Sequence, residues 1–148
     1  MKTIIFVCHG NICRSPVGAI LFNKFIKEKG LEREFTCYSR ATSREEIGND
    51  IYPPMKRVLF AHDISFDRHY ATQITKEEFD KADYIIYMDN NNLWHLERMF
   101  GKGDKYILIT KYLDGIEIED PWYTDRFEYV YNRIKDAVEA LVEYLTNS

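Results

Sequence analysis

Cys8 and Arg14 are separated by five residues in the segment Cys8-His9-Gly10-Asn11-Ile12-Cys13-Arg14-Ser15-Pro16. A cysteine thiolate is a strong nucleophile. An arginine guanidinium is a planar fork of donors matched to phosphate oxygens. Together they could carry a phosphoryl group onto sulfur. The residues between them suit this chemistry. Gly10 and Asn11 tolerate left-handed backbone, which lets successive N–H groups curl into an anion-binding nest. Ser15 is a good N-cap and Pro16 suits the first helical position, so a helix opens there. The unpaired N–H groups and dipole of that helix would stabilise an anion in the loop and a thiolate facing it.

This loop needs a strand before it and a helix after it. Residues 2–7 are a short β-branched run that reads as a buried strand. Val17, Ile20, Leu21, Phe25 and Ile26 recur at helical spacing up to Gly30. Further strands are expected at 35–38, 84–88 and 106–109. Residues 44–49 read as a polar loop or short helix. Pro53 and Pro54 open a helix that stops near His62. Thr75 with Glu78 forms a capping-box pattern, with Ile74 and Phe79 as a hydrophobic staple. Residues 91–100 read as a helix ended by Gly101. Residues 114–125 read as an acidic, aromatic loop, and Asp125 with Glu128 as the cap of a long last helix.

Strands alternating with helices predict an α/β fold: a central four-stranded parallel sheet flanked by helices on both faces, with the phosphate loop between the first strand and first helix. Sites in such sheets lie beyond the carboxyl ends of the strands. That places Cys8 at the mouth of the first strand and brings Ser39, Asp89 and the loop after Ile109 to the same edge.

The chain has 148 residues, 45% of them hydrophobic, which fits a single domain spanning 1–148. A net charge of −4 gives no general reason to expect nucleic-acid binding, so an anionic substrate needs a local positive site. No apolar run is long enough to span a bilayer, and no signal-peptide layout opens the chain, so cytoplasmic residence is the expectation. Three cysteines, Cys8, Cys13 and Cys37, do not suggest a disulfide framework. No His-Cys cluster has zinc spacing, and neither metal nor cofactor is expected.

The segment from Cys8 to Pro16 resembles the Cys-x5-Arg-Ser signature of the low-molecular-weight protein tyrosine phosphatases, including the Gly-Asn pair and the second cysteine before arginine. The resemblance extends along most of the chain. Ser39 with Thr42, the run 84–89 with Asn92-Leu93, and Asp120-Pro121 followed by an aromatic pair fall in the family's order. It implies metal-independent hydrolysis of phosphotyrosine monoesters, from a protein or a small aryl phosphate, with inorganic phosphate as product. Cys8 would become a phosphocysteine, and Arg14 with the loop from His9 to Cys13 (His9, Gly10, Asn11, Ile12, Cys13) would hold the phosphoryl oxygens. Asp120 would protonate the leaving oxygen and then act as base towards water.

The resemblance also implies supporting hydrogen bonds from Asn11, Ser15, Ser39 and His69. The Ser15 hydroxyl could cap the helix or favour the Cys8 thiolate. Asp89 could brace the site or cap the helix after it. Cys13 would form a reversible disulfide with Cys8 that shields it from over-oxidation. His9, Glu45, Trp122 and Tyr123 would wall the substrate. Four positions depart from the family's habit. His9 stands where an aliphatic residue is commoner, Arg40 where a small one is preferred, Glu45 where some members are aromatic, and Trp122 where tyrosine is usual. Glu45 would disfavour acidic peptides, whereas His9 and Arg40 would favour them. Two other activities fit the same fold. An arsenate reductase would need relay cysteines, and none follows Cys37. A phosphate-carrier or phosphate-binding module would need no Asp120.

Overall fold

The computed structural model describes residues 1–147. Four parallel strands form its sheet: β1 (Lys2–Cys8), β2 (Phe35–Ala41), β3 (Tyr84–Tyr87) and β4 (Tyr106–Leu108), in the order β2-β1-β3-β4. The described residues form six helices: α1 (Arg14–Glu28), α2 (Pro53–Ala61), α3 (Lys76–Lys81), α4 (Asn90–Phe100), α5 (Pro121–Thr124) and α6 (Phe127–Thr146). Among the described residues, no helix is long and apolar enough to cross a membrane.

Side chains alternate across β1, and the two faces meet different helices. Ile4, Phe6 and Cys8 pack with residues of α1, α2 and α6, including Leu21, Phe22, Met55, Leu59, Ile134 and Val138. Ile5 and Val7 face the other way, with Ile74, Ala82, Ile85 and Leu96. Both faces of the sheet are therefore covered, which explains why β1 is a continuous apolar run. At Gly18 an added Cβ would lie 2.7 Å from Phe6 Cδ1. Glycine lets α1 approach β1 closely and so fixes the span of the loop between them.

β2 and β3 flank β1 on opposite sides. The chain leaves in both directions at this point, which opens a crevice at the carboxyl end of β1. The acidic segment is docked at this end of the sheet. Ile118 is 1% exposed, and its N–H donates to the Met88 carbonyl at 2.9 Å.

Two expectations for this region are corrected. Residues 114–125 are not all loop, because Asp120 caps α5 by accepting from Trp122 N at 3.0 Å. Asp125 does not cap α6. It takes the left-handed conformation (φ 61°) and closes α5, donating its N–H to the Pro121 carbonyl at 2.8 Å. Arg126 precedes α6 with no side-chain cap.

Candidate active site

Cys8 ends β1 and is 3% exposed at the floor of a cleft. Among the described residues, the N–H groups of the five residues from His9 to Cys13 form no hydrogen bond within the protein. Asn11 has φ 60°, which curls the loop, whereas Gly10 does not take a left-handed conformation as its type had suggested. These donors, followed by the N-terminus of α1, make the loop electropositive.

The helix begins two residues earlier than expected. Cys13 is at the N-cap position and makes no side-chain cap, and Ser15 lies inside the first turn, ahead of Pro16. The serine hydroxyl has another partner. Ser15 Oγ lies 3.0 Å from Cys8 Sγ, and the Ser15 N–H donates to the same sulfur at 3.4 Å. Asn11 Nδ2 donates to Ser15 Oγ at 2.9 Å, which leaves the hydroxyl proton free to point at the sulfur. The Arg40 carbonyl, at 3.5 Å, is the weaker competitor for it. Of the two readings of Ser15, the geometry selects contact with Cys8.

Asn11 is fully buried and organises the loop. Its Nδ2 also donates to Ser39 Oγ (2.9 Å), and its Oδ1 accepts from Thr72 N (3.1 Å). Three partners thus fix the amide's orientation. His69 Nε2 lies 2.5 Å from the Asn11 carbonyl. A carbonyl only accepts, so Nε2 carries the proton. Burial lowers the His69 pKa, which favours the neutral ring. Asn11→Ala removes the amide and leaves alanine in a left-handed conformation. It is expected to destabilise the fold by about 2–4 kcal/mol. The urea midpoint should fall at unchanged m. A loss under about 1 kcal/mol would contradict the anchoring role.

Arg14 is 3% exposed. Its Nη1 donates to Asp89 Oδ2 at 2.7 Å and to the Ile118 carbonyl at 2.9 Å, and its Nη2 lies 3.6 Å from Asp120 Oδ2. Nη1 thus has both hydrogens engaged, leaving the Nε and Nη2 edge as the free fork. Burial works against the charge, but Cys8, Asp89 and Asp120 outweigh it and push the Arg14 pKa up. Asp89 fills both roles open to it: Oδ2 braces Arg14, and Oδ1 accepts from Asn92 N to cap α4.

Asp120 lines the cleft together with Trp122 and Tyr123. It is fixed between buried Ile118 and buried Pro121. Beside it the Arg126–Glu119 pair holds the Glu119 carboxyl down at about 2. Glu45 and His9 also line it, with His9 Nε2 and Glu45 Oε2 2.8 Å apart. Arg40 does not reach this cleft. It pairs with Glu78 at 2.9 Å and lines a separate groove behind the loop, so its charge is absent from the substrate wall. Cys8 and Cys13 are free thiols. Burial, reinforced by Cys8, pushes the Cys13 thiol up.

Sequence reasoning missed Tyr52, Glu46 and Phe127 on the cleft walls. The Tyr52 ring lies 4.9 Å from that of Trp122 and 5.8 Å from that of Phe127. An aromatic residue before Pro53-Pro54 was the available signal for Tyr52. The Ile118 carbonyl, which holds Arg14, left none.

Three comparisons bear on this geometry. Residues 3–148 match the family model described as low molecular weight phosphotyrosine protein phosphatase. The low molecular weight protein-tyrosine-phosphatase YfkJ of Bacillus subtilis is 36% identical, over 96% of this chain and 94% of its own. The human low molecular weight phosphotyrosine protein phosphatase is 37% identical, over 96% and 94%. The crystal structure of YfkJ superposes with a TM-score of 0.94 at 33% identity, covering 99% of this chain and 96% of that one.

Proposed function

The chain belongs to the low molecular weight phosphotyrosine protein phosphatases, and from this we propose that it hydrolyses phosphotyrosine monoesters through a phosphocysteine at Cys8. The observation that carries the reading is that Cys8 opens a loop whose next five N–H groups are unpaired, with Arg14 lining the same cleft and its Nε and Nη2 edge free. The thiolate attacks phosphorus as the bond to the tyrosyl oxygen breaks, and Asp120 gives that oxygen a proton. Water then attacks the phosphocysteine, Asp120 takes a proton from it, and Cys8 leaves as thiolate with release of inorganic phosphate. Loop amides and Arg14 hold the three equatorial oxygens as charge moves. They supply the positive charge that other phosphoryl-transfer sites draw from a metal.

The Ser15 hydroxyl and N–H stabilise the sulfur anion before attack and after departure. Cys13 stays a thiol, so it does not compete for phosphorus. Under oxidation its thiol condenses with a sulfenic acid on Cys8, releasing water and forming a disulfide. Three free cysteines suit a reducing cytoplasm.

Selectivity for tyrosine follows from depth. Cys8 is 3% exposed at the floor of a cleft lined by Tyr52, Trp122 and Tyr123, and a phenyl ring reaches into it while packing on those rings. A phosphoserine side chain is too short. Matched phosphotyrosine and phosphoserine peptides test this, each assayed with and without EDTA. Turnover confined to phosphotyrosine and untouched by EDTA is expected. Equal turnover of both peptides, or loss in EDTA, would overturn the reading.

A further inference from the structure

The charged groups lining the cleft are His9, Arg14, Glu45, Glu46 and Asp120. Their pairing fixes the field that a peptide meets around the phosphotyrosine. Arg14 is buried on Asp89 at the floor, so its charge serves the phosphoryl group. His9 is bound to Glu45 at 2.8 Å. If His9 is protonated the pair is neutral, and if His9 is neutral the pair carries one negative charge. In neither state is it positive. Glu46 lines the same side and accepts from Asn49 Nδ2 at 2.6 Å, an amide that leaves its charge in place. Asp120, also in the lining, is neutral or negative as it exchanges its proton. Arg40, the other cation that could have favoured acidic peptides, is neutralised by Glu78 outside the cleft. Arg44, exposed on the Glu45 loop, is not one of the lining residues.

Resting on the phosphatase reading, we propose that the substrate class is phosphotyrosine flanked by basic residues, selected by Glu45 and Glu46. The phosphoryl dianion is met by a positive floor, and the chain on either side of it by an acidic rim. Lysine or arginine beside the phosphotyrosine finds Glu46 and the unneutralised part of the His9–Glu45 pair. Glutamate or aspartate there meets like charge. The rim is solvated, so each contact is modest and sensitive to salt.

The test uses three substrates with the full chain: a phosphotyrosine peptide flanked by two lysines on each side, the same peptide with glutamates, and an aryl phosphate without flanks. At low salt the lysine peptide should have a kcat/KM about three- to tenfold above the glutamate peptide. That ratio should shrink towards one in high salt, and it should fall in the Glu45→Gln/Glu46→Gln double variant. A ratio at or below one at low salt, with the aryl phosphate turned over, overturns the charge preference alone. A ratio above one that persists undiminished in the double variant overturns its assignment to these two residues. No turnover of any of the three overturns the phosphatase reading itself.

Discussion

Replacing Cys8 with serine is expected to lower phosphotyrosine turnover by on the order of 10⁵-fold or more, while inorganic phosphate still binds. The site is built to hold an anion on sulfur. Ser15 offers its hydroxyl and its N–H to that atom, and neither can take a proton from a serine hydroxyl as a general base would. A serine at position 8 is therefore a neutral alcohol with no means of activation. Its hydroxyl is nonetheless satisfied by the same Ser15 groups, so the buried position should be tolerated. The loop N–H groups and the Arg14 fork are untouched, which is why phosphate binding should survive. Calorimetric titration with phosphate and a turnover assay on the same preparation measure both halves. Retained turnover in this variant would mean that the nucleophile lies elsewhere. Loss of phosphate binding in a folded variant would mean that the loop alone does not hold the anion.

The second large effect is that of Asp120→Asn. Asparagine keeps an oxygen that can accept from Trp122 N, so α5 stays capped while the proton is removed. Turnover of phosphotyrosine, whose leaving oxygen needs protonation, should fall about 10²- to 10⁴-fold. An aryl phosphate with an acidic leaving group should lose far less in the first step, because its oxygen departs unprotonated. Comparing the single-turnover rates of the two substrates isolates that step. Equal losses on both would argue that Asp120 positions Arg14, 3.6 Å away, and does not deliver a proton.

Much of this site was legible from residue order, for a physical reason. The phosphate loop is local. A strand that must be buried on both faces is written as 2–7, and the residues after it carry the proposed nucleophile, the turn and the fork in one stretch. The capping box of α3 was equally readable, because Thr75 and Glu78 contact each other across one turn. The box at α4 was harder to see, since Asp89 pairs with Asn92 where Glu or Gln is the usual signal.

What stayed hidden depends on groups distant along the chain or absent from side chains altogether. Ser15 suits a cap by type as well as a contact with Cys8, and only the positions of Asn11 Nδ2 and Cys8 Sγ decide between the two. Asp125 looks like a cap for α6, but the chain needs it left-handed to end α5 first. Arg40 looks like a free cation until Glu78, 38 residues on, is brought beside it. Tyr52, just before α2, and Phe127, at the start of α6, meet only once the sheet is covered. The two walls of the cleft are therefore a product of tertiary packing, and its floor a product of sequence.

The most direct measurement is to mix the Asp120→Asn enzyme with an aryl phosphate of acidic leaving group, quench within the first turnovers, and map phosphate on the protein by mass spectrometry and phosphorus NMR. Attack on such a substrate proceeds without the acid, whereas release by water lacks its base, so the intermediate should accumulate. A single phosphoryl group on the Cys8 sulfur is the expected result. Phosphate released with no phosphorylated protein at any time, or a phosphoryl group on any other residue, would contradict it.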